Sequence, residues 1–255
     1  LHTFGVGLAD GRGRSKLIEE ALLEHLRKKQ RRLVRSRVVD MEKDWFPDEA
    51  LVQLALESNE QGVFSVALPA ERIRLRRCIS RFVRGAVEVP RDQRPPSRAY
   101  RKLVEAEMRM ARPIRPNERC VDLGASPGGW TFIALERGAE VTAVDRSPLR
   151  DDLMRNKRLH FVRGDAFAWS PPAKVDWLLC DLIAFPERTF ELLERWLTQG
   201  WCQHFCVTVK FRGFEDYGRL ADLKELLRKC PVDFDLRQLT NNKNEVTAMG
   251  SLTTS

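Results

Sequence analysis

The chain has 255 residues with 44 Lys and Arg against 36 Asp and Glu, a net charge of +8, and it is long enough to bury a sizeable core and to exceed one typical domain. No window approaches the roughly twenty apolar residues of a membrane-spanning helix, and the start has no apolar secretion core, so a soluble cytoplasmic protein with no membrane partner is expected. The sequence opens at Leu1 inside a segment that already reads as structured, and the natural protein is expected to extend further upstream.

Charge is unevenly spread along the chain. Residues 1–100 hold 20 basic and 14 acidic side chains, and the rest hold 24 and 22. Two tracts dominate the surplus, residues 27–37 and 72–84. Arg27, Lys28, Lys29, Arg31 and Arg32 in the first, with Arg74, Arg76 and Arg77 in the second, would neutralise phosphates of a nucleic acid; by charge alone they read equally well as solvated helix faces. The six cysteines lie at 78, 120, 180, 202, 206 and 230, several within apolar runs where Cys serves as a small hydrophobe. Cys202 and Cys206 are the one close pair, and no second pair at zinc-like spacing accompanies them, so no metal is expected.

Leu17, Ile18, Ala21, Leu22, Leu26 and Leu33 recur near helical period, which predicts a helix over 16–35 with Ser15 as its N-cap. Short strands are predicted at 51–56 and 62–68. Together these make a small α/β module over residues 1–90. Residues 91–96, with prolines at 95 and 96, read as a linker.

From Ser97 to 255 the pattern becomes a βαβ alternation, which predicts a Rossmann-like α/β domain. Helices are predicted at 97–111, 128–137, 186–199 and 214–229. The strands fall at 119–124, 140–145, 159–163, 175–183, 205–210, 234–239 and 245–249. The apolar runs 175–179 and 205–209 fit central strands buried on both faces.

In an open parallel sheet, ligands bind beyond the carboxyl ends of the strands, so the Gly-rich turn after the first strand of this domain is the expected nucleotide site. It runs Asp122-Leu123-Gly124-Ala125-Ser126-Pro127-Gly128-Gly129-Trp130. Gly124 permits the sharp turn, Gly128 and Gly129 permit close approach of ligand and helix, and Pro127 fixes the helix entry. Asp145, ending a strand about twenty residues on, is placed to accept ribose hydroxyls. Asp165, after the next strand, is placed to accept the amino group of an adenine. These marks suit a nicotinamide cofactor as well as a methyl donor, although the turn departs from GxGxxG by placing Pro where the dinucleotide turn is open. Asp181 and Lys210 end neighbouring apolar strands at the same sheet edge, where charged residues tend to serve function.

The runs DLGASPGGWT, VDWLLCDL, VTVKFRG and NEVTAM, with Pro95-Pro96-Ser97-Arg98 leading to Lys102-Leu103 and Gly200-Trp201-Cys202 before the Lys210 strand, resemble the FtsJ/RrmJ-like ribose 2′-O-methyltransferases, and more narrowly their RlmM type. The resemblance extends from about 95 to 249. It implies S-adenosylmethionine as cofactor, bound by Asp122, Gly124, Ser126, Pro127, Gly128, Gly129, Trp130, Asp145, Asp165 and Asp181. It also implies transfer to a cytidine ribose of 23S rRNA, naked or within a ribosome assembly intermediate, by a tetrad that carries over to Lys102, Asp181, Lys210 and Glu245. A ribose hydroxyl is a poor acid and a poor nucleophile, so such a set would supply a base, Lys210, with Lys102 as neighbouring cation, and Asp181 and Glu245 to orient them.

In the same family the catalytic domain follows a THUMP RNA-binding module, which residues 1–90 resemble loosely through a turn at Asp10, the helix after Ser15 and the strand ending at Pro69. Competing expectations are a tRNA or mRNA-cap ribose as substrate, a non-catalytic RNA-binding protein of the same fold, and a nicotinamide-dependent oxidoreductase.

Overall fold

A computed structural model describes residues 2–5, 11–29, 50–58, 60–68, 70–71, 82, 85, 87–213 and 217–253. The chain divides into two compact units, Leu1–Val87 and Glu88–Ser255.

The first unit contains β1 (His2–Gly5), α1 (Gly11–Lys29), β2 (Leu51–Leu56) and β3 (Gly62–Ala67). The sheet order is β1-β2-β3, with β1 parallel and β3 antiparallel to β2. A parallel pair needs a crossover, and α1 lies between β1 and β2 in sequence and packs on both. Thr3 Oγ1 donates to Glu19 Oε2 at 2.6 Å, fastening helix to sheet. The β2–β3 turn is closed by Ser58, whose Oγ accepts from the N–H groups of Glu60 and Gln61.

Two expectations change here. Strand β1 was not anticipated, and α1 begins at Gly11, so Ser15 lies inside the helix and is buried rather than capping it. The two glycines at 11 and 13 lower helix propensity and hid the true start, which packing against the sheet overrides. The expected helical residues 30–35 lie outside the described residues.

The second unit runs α2 (Tyr100–Met110), β4 (Arg119–Leu123), α3 (Gly129–Glu136), β5 (Glu140–Asp145), α4 (Asp151–Met154), β6 (Leu159–Arg163), β7 (Val175–Cys180), α5 (Pro186–Thr198), β8 (Cys202–Lys210), α6 (Arg219–Lys229), β9 (Val232–Arg237) and β10 (Glu245–Leu252). Its seven strands are ordered β6-β5-β4-β7-β8-β10-β9. The strands β4 to β8 are parallel, and β10 inserts antiparallel between β8 and β9. This is a Rossmann-like sheet whose last strand doubles back into the sheet. Trp177, Leu178, Leu179 and Cys180 of β7 and Phe205, Cys206, Val207 and Val209 of β8 are all fully buried, as central strands covered on both faces must be. The five described cysteines are free and buried.

Residues 91–96, read as a linker, belong to this second unit. Tyr100 Oη donates to the Pro90 carbonyl at 3.0 Å and accepts from the Asp92 N–H at 2.6 Å. Arg94 forms ion pairs with Asp92 and Glu136, both at 2.8 Å. The prolines mark an extended path, but side chains on both flanks hold that path down. Other boundaries shift by a few residues: β7 stops at Cys180, leaving residues 181–183 outside the sheet, and β8 begins at Cys202. Helix α4 was not anticipated. Residues 214–216 of the helix expected at 214–229 lie outside the described residues.

Candidate active site

The strand order reverses at β4, whose neighbours are β5 on one side and β7 on the other. The connections after these strands diverge, and this opens a crevice at their carboxyl ends. The Gly-rich turn follows β4, Asp145 ends β5 and Asp181 follows β7, so all lie at that edge.

The turn is held from beneath. Gly124 N–H donates to the Val144 carbonyl at 2.9 Å. Ser126 N–H donates to Asp145 Oδ2 at 3.0 Å, Ser147 N–H to Asp145 Oδ1 at 2.8 Å, and Ser126 Oγ to the Pro148 carbonyl at 3.1 Å. Gly124 and Gly128 have φ of +74° and +110°, values that L side chains rarely adopt. A Cβ on Gly128 would overlap Leu153, and one on Gly129 would overlap Ser97 Oγ. Backbone conformation and packing within the protein call for glycine at 128, and the Ser97 side chain crowds any Cβ at 129, so close packing by itself accounts for part of what was read as room for ligand and helix.

Two residues expected to bind cofactor are internal instead. Asp122 is 2% exposed, and its Oδ2 accepts from Thr131 Oγ1 at 2.6 Å. Burial pushes its carboxyl up to about 7, with the nearby Asp181 charge adding to the rise and the Thr131 bonds opposing it. Trp130 is equally buried and donates Nε1–H to the Ala99 carbonyl at 2.8 Å. Both residues shape the turn from below, because the strand end and the first turn of α3 face the core there. Thr131 carries no spacing signal and is not legible from the residues alone, whereas Ser97 belongs to the Pro95-Pro96-Ser97-Arg98 run and lies against Gly129.

Along the same edge, Asp165 Oδ1 accepts from the Phe167 N–H at 2.9 Å and Oδ2 pairs with Arg146 at 2.7 Å. These bonds hold its carboxyl below the usual range, the Phe167 N–H most strongly. Phe167 is in turn covered by the Arg188 guanidinium, 4.0 Å from the ring centre.

Lys102, Asp181, Lys210 and Glu245 come from four separate elements and meet in one cluster. Lys102 Nζ lies 2.7 Å from Asp181 Oδ2 and 3.2 Å from Glu245 Oε1. Lys210 Nζ lies 3.2 Å from Asp181 Oδ1 and donates to the Asp181 carbonyl at 3.1 Å. The sheet register explains part of this meeting: Lys210 ends β8 and Glu245 begins β10 as its direct cross-strand partner. Asp181 follows β7, the neighbour of β8 on the other side.

Lys102 is brought in by α2, which packs on α3 and β10. Thr240 N–H donates to the fully buried Glu105 at 2.8 Å, and Glu105 also pairs with Arg109 at 2.7 Å. The Trp130–Ala99 bond fixes the start of the helix. A helix this rich in charge ordinarily leaves its lysines in solvent, yet Lys102 is 5% exposed. Of the two ammonium groups Lys210 is the more open, its side chain 24% exposed against 6%. Two cations and two carboxylates leave the cluster near neutral.

In the first unit, Arg27, Lys28 and Lys29 form the exposed last turn of α1, with Lys28 paired to Glu24 at 2.6 Å. Arg31, Arg32, Arg74, Arg76 and Arg77 lie outside the described residues. Among the described residues no cluster of His, Cys, Asp or Glu has the makings of a metal site, and no helix is long and apolar enough to cross a membrane.

Residues 95–203 match the FtsJ-like methyltransferase family. The chain is 36% identical over 174 residues to a protein of Azoarcus sp. (strain BH72) named Ribosomal RNA large subunit methyltransferase M, covering 63% of this chain and 48% of that one. It is 35% identical over 178 residues to the protein of the same name from Thauera aminoaromatica, covering 64% and 49%. The chain thus spans about half the length of the curated relatives it matches. Among solved structures, a candidate hemolysin of Lactococcus lactis superposes with a TM-score of 0.51 at 15% identity, covering 63% of this chain and 89% of that one; this likeness concerns the fold alone.

Proposed function

From the FtsJ-like methyltransferase domain of residues 95–203, we propose that this chain is an S-adenosylmethionine-dependent RNA ribose 2′-O-methyltransferase acting on a cytidine of 23S rRNA in the cytoplasm. The observation that carries the reading is the convergence of Lys102, Asp181, Lys210 and Glu245 beside the Gly-rich turn. The names of the relatives support ribosomal RNA as the substrate class.

The residues at the sheet edge fit the cofactor by their chemistry. Asp145, Asp165 and Asp181 are carboxylates in line along that edge, and ionised carboxylates accept hydrogen bonds only. They match a cationic ligand rich in donors: ribose hydroxyls at Asp145, an adenine amino group at Asp165, and the methionyl portion toward Asp181. Both oxygens of Asp145 already accept one backbone N–H each and retain a lone pair for a ligand. When bound, the sulfonium supplies an activated methyl group, so the remaining difficulty lies in the hydroxyl.

Lys210 is the lysine that faces the opening; once its ammonium proton has been released to solvent, its neutral Nζ takes the proton of the 2′-hydroxyl as the hydroxyl oxygen accepts the methyl group. Asp181 holds Lys210 through both its carboxylate and its backbone carbonyl, which fixes where Nζ points. Lys102, pinned between Asp181 and Glu245, keeps Asp181 from neutralising Lys210 alone. Positioning of this kind supplies much of the acceleration in a bimolecular transfer. Residues 1–90 serve as a THUMP-like module that holds RNA through its basic side chains, with affinity that falls steeply as salt rises.

The test uses tritiated S-adenosylmethionine and ribosomal RNA from cells lacking the modification. A 2′-O-methyl group blocks alkaline cleavage, so the label is expected in alkali-resistant dinucleotides containing cytidine. Label in alkali-labile mononucleotides, or none at all, would overturn the assignment.

A further inference from the structure

The loops leaving β7 and β8 expose an apolar surface that neither the tetrad nor the turn uses. Ile183, two residues beyond Asp181, is 91% exposed, and Phe185 is 47% exposed. Arg212, two residues beyond Lys210, places its guanidinium carbon 3.5 Å from the centre of the Phe185 ring. Single exposed hydrophobics need no explanation. Here, however, two of them stand within four residues of Asp181 and a stacked cation stands within two of Lys210.

The surface is anchored at both sides. The Phe185 carbonyl accepts from the Thr189 N–H at 3.3 Å in the first turn of α5, and Pro186 fixes the backbone just beyond. Arg212 follows Phe211, which is 6% exposed and whose N–H donates to the Asn244 carbonyl at 2.8 Å. The cation–ring stack therefore joins the Asp181 loop to the Lys210 loop and covers part of the ring, leaving the rest in solvent.

RNA is read largely through splayed bases that stack on aromatic rings and guanidinium planes, with cationic groups near the phosphates. We propose that Ile183, Phe185 and Arg212 form the seat for a nucleobase of the acceptor strand: Ile183 and Phe185 cover its face, and Arg212 stiffens Phe185 and attracts the adjoining phosphate. This rests on the RNA ribose reading above. The seat turns the acceptor ribose toward Lys210 by holding its base a few residues from the residues that act on it.

The experiment compares fluorescent hexacytidylate with its abasic counterpart by anisotropy, alongside steady-state transfer to ribosomal RNA. The wild-type chain is expected to favour the base-bearing strand by about tenfold, the size of one base–aromatic stack. Phe185→Ala and Ile183→Ser should each erase most of that preference and raise KM for RNA more than they lower kcat, while Phe185→Tyr keeps the wild-type values. Calorimetric affinity for S-adenosylhomocysteine, unchanged within about twofold, shows that the variants are folded. Wild-type preference and KM retained in both Phe185→Ala and Ile183→Ser would overturn the seat while leaving the ribose activity standing. A wild-type chain that labels no RNA would instead remove the functional reading, and the seat with it.

Discussion

Replacing Lys102 by Met tests whether the cluster is held by electrostatics. Met keeps the apolar stem and nearly the volume but removes the ammonium that lies 2.7 Å from Asp181 and 3.2 Å from Glu245. The three side chains are 6%, 15% and 11% exposed, so little water can replace the lost partner. Breaking a buried pair from one side costs about 3–5 kcal/mol, because it leaves an uncompensated charge. Asp181 keeps Lys210 at 3.2 Å, which points to the lower end, about 3 kcal/mol. For a unit of this size that corresponds to a fall in Tm of roughly 6–12 °C.

Adding Glu245→Gln to Lys102→Met removes the stranded charge, and residues in contact couple by about 0.5–3 kcal/mol. The double variant should therefore recover about 0.5–3 kcal/mol of stability without recovering methyl transfer. Urea unfolding of the wild-type, both single and the double variants provides the cycle. A Lys102→Met chain within about 0.5 kcal/mol of wild type, or a double variant no more stable than it, would refute the reasoning.

Lys210→Ala should lower kcat by about 10²–10⁴, the range for loss of a general base, with S-adenosylhomocysteine affinity nearly intact; appreciable residual turnover would remove Lys210 from that role. Gly128→Val forces a β-branched residue to φ +110° and drives its Cβ into Leu153, so calorimetry should show cofactor binding abolished and unfolding should show a loss of about 2 kcal/mol or more. Asp122 gives a pH signature. Its carboxyl titrates near 7 when folded against 3.8 otherwise, so the folded state holds the proton across that window. Its contribution is complete below about 3.8 and is lost as pH rises to about 7. The Asp122→Asn variant should gain on wild type by on the order of a few kcal/mol between pH 4 and 7, and parallel stability curves would contradict this.

Much of the second unit could be read from residues alone. The apolar runs of β7 and β8 announce buried parallel strands because no solvent face imposes alternation. The turn was visible through its glycines, but their purpose was not. Gly128 and Gly129 answer to Leu153 and Ser97, which are distant in sequence. Asp122 and Trp130 shared the motif's spacing with true edge residues, yet their side chains point into the core; spacing gives position along a strand or helix, not the side that is covered. The start of α1 was hidden for the opposite reason, since local propensity argued against a helix that sheet packing makes.

The βαβ rhythm, the turn that ends β4 and the charged residues at the ends of β7 and β8 are legible without a structure, because each is written in contiguous residues. Packing in three dimensions is what buries Lys102, on a charge-rich helix, beside Asp181 and Glu245. That depends on β10 running antiparallel to β8, which sets Glu245 opposite Lys210, and on α2 being fastened through Glu105 and Ala99. These contacts join residues from 31 to 143 positions apart, and no local pattern encodes them. They turn four scattered charges into one site.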